Sequence, residues 1–339
     1  MTESTRHDAV RIMTEEAGYL VGVALRAPSL HNTQPWQFTV SGDAIELYAD
    51  TSRQLLVDPD GREMLISCGA ALFGLRLAVR SLGRRPEVEL LVGRAGRRPL
   101  ARVSLGPAAP MTGAERKMLH AVPHRHTHRG PFAAEPLPAG LFAQLQDDAR
   151  AEGATLTEIE PGPARAELMA LVAASARRQD RDFRSRAETR LWSHAADHQA
   201  RDGVPAHAFP AAPGRTAGRL SQRDFDLGRH VGWLPADGPA PPVTAVLSTS
   251  GDGEEDWLRA GQALHRLLLH AASRWVFAGL NTQPLEDVET RVLVRDRLAQ
   301  AGSPQMLLAI GVSRTAQPTA RRPAADLIGP SCTPWPRDG

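Results

Sequence analysis

Residues 62–82 constrain the fold more than any other stretch of this chain. Met64 to Val79 is apolar on nearly every side of a helix. A helix with no polar face belongs in an interior, covered on all sides by other elements. The run contains Arg76 and is too short to span a bilayer, and Gly83 is a plausible stop. A second long helix, over 254–279, is amphipathic, with Trp257, Ala260, Leu264, Leu267, Leu268, Ala271 and Trp275 on one face.

Around these two helices the pattern alternates. Residues 9–26 read as a helix that Pro28 ends. The stretches FTV and AIELYA flank Ser41-Gly42-Asp43, a hairpin signal, and 87–92 and 101–105 read as paired strands. Gly106 to Pro110 reads as a linker, followed by helical patterns at 112–121, 138–152 and 163–199. Residues 201–241 are rich in Gly, Pro and Ala and carry no clear element; so long a stretch suggests a functional cover such as a lid. A strand follows at 242–249, and after the second long helix come a loop with Gly279 as helix cap, a helix near 286–301 and a strand at 305–312. Helices, strand, long apolar helix, strand thus occur twice. The expected architecture is α+β, with two related halves over 9–110 and 111–330 and an insertion within 163–241. No period of 20–50 residues marks a solenoid. Asn-Thr-Gln-Pro recurs at 32–35 and 281–284, a coincidence expected in a chain of 339 residues.

Composition narrows the function. Lys117 is the only lysine, so 39 of the 40 Lys plus Arg are arginine, yet 38 acidic residues bring the net charge to only +2. A nucleic-acid binder would carry a segregated basic excess, so that class is set aside. Cys68 and Cys332 are far apart and form neither a disulfide framework nor a zinc knuckle. The N-terminus shows no signal peptide. The expectation is a cytoplasmic protein with no membrane or nucleic-acid partner, monomeric or homodimeric.

Nucleotide-binding glycine motifs, nucleophile elbows and zinc-protease motifs are absent from the sequence. The most informative stretch is Arg26-Ala-Pro-Ser-Leu-His-Asn-Thr-Gln-Pro-Trp36. Five polar side chains, Ser29, His31, Asn32, Thr33 and Gln34, lie between Pro28 and Pro35. They suit the donor and acceptor edge of a planar heterocycle; equally, the stretch reads as a capped turn before a strand, with Trp36 in the core. In His124-Arg-His-Thr-His-Arg129, Arg125, Thr127 and Arg129 would share one side of an extended segment, as in a phosphate clamp. A solvated basic turn remains the alternative there. A metal site at His120, His124, His126 and His128 is disfavoured by the interleaved arginines. Arg321-Arg322-Pro323 is a further anchor or plain surface, and 278–286 is a loop able to offer backbone N–H groups to a flat ligand or a simple turn. With no nucleophile-and-base pair in view, the pattern fits a cofactor that does the chemistry itself.

Pro28-Ser-Leu-His-Asn-Thr-Gln-Pro-Trp36 resembles the flavin-binding segment of the nitroreductase superfamily. Arg125-His-Thr-His-Arg129, with Phe132, resembles its Arg-x-Ser/Thr-x-Arg phosphate motif. With the 254–279 helix, Arg321-Arg322-Pro323, Asp202-Gly-Val-Pro205 and Trp257-Leu-Arg-Ala-Gly-Gln262 in order, the chain is similar to the Acg family of fused, FMN-binding nitroreductase-like proteins over roughly residues 10–330. The resemblance implies a nitroreductase-like fold in which one chain forms a pseudo-dimer. It implies FMN held by Pro28, Ser29, Leu30 and Asn32, with Arg125, Thr127, Arg129, Arg322 and Arg321 on the phosphate. The backbone of Pro284, Leu285 and Glu286 would lie near the flavin N5 edge. It also implies two-electron transfer from NAD(P)H to nitro, quinone or similar small aromatic acceptors, or else flavin storage without turnover if the insertion closes the site. The mirror-related second site has only Arg6-His7-Asp8 for a clamp, so one FMN per chain is expected.

Overall fold

The computed structural model describes residues 12–92, 98–195, 198–211, 220, 222–234, 243–299 and 302–329. Helix α1 (Thr14–Ala24) leads into β1 (Trp36–Ser41) and β2 (Ala44–Ala49), an antiparallel hairpin about Gly42. The apolar helix α2 (Arg62–Ser81) follows, then β3 (Arg84–Leu90) and β4 (Ala101–Ala108). Residues 106–108, expected as linker, therefore extend β4, where Ala108 pairs with Arg84. Next come α3 (Gly113–Ala121), α4 (Leu141–Ala151), β5 (Ala154–Glu158), α5 (Pro163–Arg181) and α6 (Phe183–Leu191). The single helix expected over 163–199 is broken at Asp182, whose extended backbone and side-chain bond to Ser185 N begin α6.

Short strands β6 (Ser193–His194) and β7 (Val204–Pro205) precede β8 (Val243–Thr249), α7 (Glu254–Ala272) and β9 (Val276–Asn281). The chain continues through α8 (Gln283–Glu286), α9 (Val288–Val294), β10 (Ser303–Val312) and β11 (Ile328–Gly329). Helix α7 is shorter than its apolar pattern suggested. It ends at Ala272, and Trp275, at φ 57°, turns the chain into β9, where Gly279 pairs with Ala309. Gly279 is therefore a mid-strand residue and not a helix cap. Val276 and Phe277, β-branched and aromatic, favour the pleated surface that follows.

One sheet runs β11-β1-β2-β4-β3 and the other β5-β8-β10-β9. Apart from β11, the two have the same plan. In each, the strands lie in the order first, second, fourth, third, all antiparallel, with the long helix joining second to third. The second sheet is covered on both faces: Ala245, Leu247, Met306, Leu308 and Ile310 pack with α4 and α7, whereas Val246, Leu307 and Ala309 pack with α5. This explains why its strands read as apolar runs without alternation.

Helices α2 and α7 pack together at the centre, and glycine permits it. A Cβ on Gly69 would lie 2.2 Å from Leu258 O, and one on Gly261 would lie 2.0 Å from Ile66 O. α2 spans 20 residues and by length and composition could cross a bilayer, but its apolar window is 83% buried inside the protein. Cys68, on α2, is fully buried with its Sγ toward Pro35 O. Arg6-His7-Asp8 and Cys332 lie outside the described residues.

His265 of α7 is fully buried and bonds through Nδ1 to Ala70 O of α2 at 2.6 Å. Burial, then Arg125, pushes its pKa down to about 3. In the unfolded chain the ring would titrate near 6.5, so between these limits the unfolded state binds more protons and stability falls as pH falls. The thermal midpoint of the wild type is therefore expected to drop relative to that of His265→Gln when pH is lowered from about 7 to 5. Parallel midpoints over that range would show a ring that titrates normally.

Candidate functional site

A cavity opens between α2, the 127–129 segment, the end of β9 and residues 222–225. Its wall draws on Pro28–His31 before β1, on Glu63, Ile66 and Ser67 of α2, on Thr127–Arg129, and on Leu280–Gln283 at the end of β9.

The polar segment before β1 is bent tightly, with positive φ at His31, Asn32 and Gln34. Such backbone costs on the order of 1–3 kcal/mol per residue and persists only where the surroundings hold it. Here they do. Ser29 Oγ accepts from Gln34 N at 3.0 Å, and Thr33 Oγ1 donates to Leu30 O at 2.9 Å. Asn32 Nδ2 donates to Gly203 O and Ala320 O, Gln34 Nε2 donates to Arg201 O, and Gln34 Oε1 accepts from Arg322 N. Asn32 and Gln34 thus fasten the insertion and the C-terminal segment onto the first half. Asn32, expected at the ligand, is not among the cavity-lining residues: its Nδ2 is held by bonds within the chain, while its Oδ1 is buried without a partner. Pro28, Ser29 and Leu30 do line it.

The expected clamp is partly assembled. Thr127 pairs with Ala278 as an isolated bridge, and His128 N bonds Ala278 O, which holds the segment extended beside β9. Thr127 and Arg129 line the cavity. Arg125 is buried nearby, with Nη2 on Arg26 O at 3.2 Å and with Nε and Nη1 lacking any partner. Arg321 donates to Leu25 O and Ala27 O. Carbonyls 25–27 are the C-terminal end of α1, a natural seat for cations. Arg322 is tied by its own backbone to Gln34, with its Nη1 unpartnered.

Arg26, Arg125, Arg129 and Arg321 form no ion pair among the described residues, and their charges oppose one another. Burial, then Arg26 and Arg129, pushes Arg125 down to about 10. Desolvation pushes Arg129 to about 10, and desolvation with Arg125 and Arg26 pushes Arg321 well below its usual value. Clustered guanidiniums with spare, buried N–H groups and no carboxylate are a site prepared for an anion.

Two further sets of residues were not singled out in the sequence, although a cover from the insertion was expected. Gln222, Arg223 and Phe225 of the insertion cover the cavity. Phe225 meets the His31 ring edge-on at 5.3 Å and lies under the Arg129 guanidinium at 5.2 Å. Asp226 anchors this cover by accepting from the backbone N–H groups of His230, Val231 and Gly232. Arg223 pairs with Glu286 and bonds Gln179, latching the cover to α8 and α5. Glu63 is the second, because an acid in the first turn of an apolar helix reads as a capping residue.

Pro284, Leu285 and Glu286 are not among the cavity-lining residues. Proline has no N–H, the N–H groups of Leu285 and Glu286 both bond Thr282 O, and the Glu286 carboxylate is taken by Thr282, Gln179 and Arg223. The cavity is lined instead by the preceding Asn281, Thr282 and Gln283. The clustered histidines pack on aromatics, His124 stacking on Trp275 and His126 on Phe277.

Two Mycobacterium tuberculosis proteins are similar to this chain. The one provisionally named NAD(P)H nitroreductase Rv3131 is 32% identical over 327 residues, 93% of this chain and 90% of its own length. The chain belongs to the Acg family of nitroreductase-like proteins. The second, provisionally named NAD(P)H nitroreductase acg, is 29% identical over 326 residues, 94% of this chain and 96% of its own. No protein-family profile matches the chain. Among solved structures, this Acg-family chain is similar to a nitroreductase with bound FMN from Desulfitobacterium hafniense, at 13% identity and a TM-score of 0.39 over 65% of this chain and 98% of that one. It is also similar to the FMN-dependent nitroreductase NfnB from Mycobacterium smegmatis in complex with NADPH, at 16% identity and a TM-score of 0.35 over 66% and 95%.

Proposed function

We propose that this protein is a cytoplasmic FMN-dependent oxidoreductase of nitroreductase type, drawing on NAD(P)H to reduce nitro, quinone or related aromatic acceptors. The observation that carries the reading is Arg125, buried with two unpartnered donor atoms in a carboxylate-free cluster of guanidiniums beside the cavity. Arg125, Arg129 and Arg321, with Thr127, would hold the phosphate. Pro28–His31 and Asn281–Gln283 would border the ring system. When bound, FMN would supply two-electron redox chemistry, which no side chain of this wall can provide. The chain's own contribution is to hold the anion, to orient the ring between two rigid halves, and to exclude water with the Arg223–Phe225 cover.

The shared strand order of the two sheets supports reading the chain as a fused pseudo-dimer with a single site. Eleven residues, 25–35, separate α1 from β1 and build the polar segment. At the equivalent place only Glu152 and Gly153 separate α4 from β5, so the mirror-related position has no such segment. Purified protein saturated with FMN should therefore show flavin absorption at one FMN per chain. A ratio near two, or no flavin uptake at all, overturns this.

A second reading, flavin storage without turnover, is favoured by one contact: Phe225 sits against both His31 and Arg129 and covers the cavity. Anaerobic mixing with NADPH or NADH separates the two. Bleaching of the yellow colour within seconds supports the oxidoreductase. A chromophore that never bleaches, in protein that dithionite does reduce, supports storage.

A further inference from the structure

Glu63 lies where an acid-rich cluster meets the cavity. Its Oε1 accepts from Arg62 Nη2, and Arg62 Nη1 is held by Gln305 O and Oε1 at 3.1 and 2.8 Å. Among the described residues nothing bonds Glu63 Oε2. The side chain is only 4% exposed, and the residue lines the cavity.

Three more carboxylates face this region from three other elements. Asp58, in the turn before α2, accepts from Glu63 N and Met64 N. Glu188 of α6 accepts from Leu56 N and Val57 N, and Glu286 of α8 pairs with Arg223 of the cover. Four acids thus share two guanidiniums, Arg62 and Arg223. Burial raises the pKa of Asp58 and of Glu188 against the backbone bonds each accepts. Burial first, and then Asp58 and Glu286 against the pull of Arg62 and Arg223, pushes Glu63 up to about 8. The N-terminal end of α2 favours the charged form and is outweighed. Carboxylates so placed disfavour one another's ionisation, and burial favours the protonated form of Glu63. Glu63 is the member of the cluster on the cavity wall. His31, 3% exposed with both ring nitrogens unpartnered, lines the same cavity; burial first, then Arg223 and Arg129, keeps it neutral. The wall thus carries polar groups that no protein partner satisfies.

We propose that Glu63 is the proton donor of this cavity, passing its proton to the carbonyl oxygen of a quinone-class acceptor as that acceptor is reduced. The Glu63 O–H bond breaks and an O–H bond forms on the acceptor. The two electrons and the other proton come from the reduced nicotinamide nucleotide by way of bound FMN, and Glu63 is reprotonated from solvent. The assignment rests on the oxidoreductase reading above.

The test uses the full-length FMN-loaded protein. Infrared difference spectra should show a protonated-carboxyl band at pH 7 that is lost above the pKa and in Glu63→Gln. Prereduced protein should then be mixed with benzoquinone or with ferricyanide, a one-electron acceptor that takes up no proton. In Glu63→Gln the quinone rate should fall about 100-fold relative to the ferricyanide rate, the scale of general acid catalysis. In the wild type that ratio should decline above about pH 8. An FMN dissociation constant within about threefold of wild type, read by fluorescence quenching, would show the site intact. Absence of the band, or equal slowing with both oxidants, overturns the Glu63 assignment alone. Failure to bind FMN overturns the oxidoreductase reading and this assignment together.

Discussion

Replacing Arg125 by Met is expected to weaken FMN binding by about 10- to 100-fold while leaving the ligand-free protein as stable as before or more so. The first half follows from losing a charge-assisted contact to phosphate, about 1.5–3 kcal/mol, at 1.4 kcal/mol per factor of ten. The second follows from what the guanidinium lacks. It makes one bond, 3.2 Å long, to Arg26 O, and its Nε and Nη1 are buried without partners. It also repels Arg26, Arg129 and Arg321. Removing a buried, unpaired charge relieves the folded state. Adding Arg129→Met should abolish FMN retention through gel filtration. The opposite pattern, a lowered thermal midpoint with FMN affinity unchanged, would mean that Arg125 serves only to cap α1. Arg321 is a poorer choice for the experiment, because its donors also satisfy Leu25 O, Ala27 O and Thr319.

Gly261→Ala is expected to cost about 3 kcal/mol or more, with FMN binding lost alongside, because overpacking against backbone cannot be relieved by a rotamer change. The added methyl would lie 2.0 Å from Ile66 O and 2.7 Å from Ala70 N, so α2 and α7 must separate to admit it. Ile66, Ser67 and Leu264 on these helices line the cavity, so spreading the crossing also deforms the site. Gly22→Ala on α1 is the matched control. Nothing lies within 4 Å of its added Cβ, and helix propensity predicts a gain of about 0.5–1 kcal/mol. Denaturant titrations of the two variants should therefore move in opposite directions. Similar behaviour would mean that the helix crossing is not set by glycine.

Much of the architecture was legible because it is written in local periodicity. α2 is apolar all round, and it is buried over most of its length. The β1–β2 hairpin, β3 with β4, α3, α4, β8 and β10 all formed where alternation and turn residues placed them. Pro28, Ser29, Leu30, Thr127 and Arg129, singled out in the sequence within contiguous motifs, line the cavity. Helix ends were less legible. The apolar face of α7 runs on in sequence through Trp275, yet a left-handed turn at that residue moves Gly279 into β9. Periodicity records which residues are apolar, not where the backbone stops being helical.

By itself, then, the sequence determined the α+β plan, the two central helices and the segments from which a cofactor site could be built. The tertiary structure decided what each polar group in those segments does. Asn32 became a fastener because Gly203 and Ala320 arrive beside it from 171 and 288 residues away. Arg321 reached Leu25 across 296 residues. Glu63, an ordinary first-turn acid in the sequence, became the acid on the cavity wall only once Asp58, Glu188 and Glu286 closed around it. The physical reason is range. Side-chain periodicity acts over a turn or a strand, whereas desolvation and charge depend on whatever the fold brings within a few ångströms, and no local pattern encodes that.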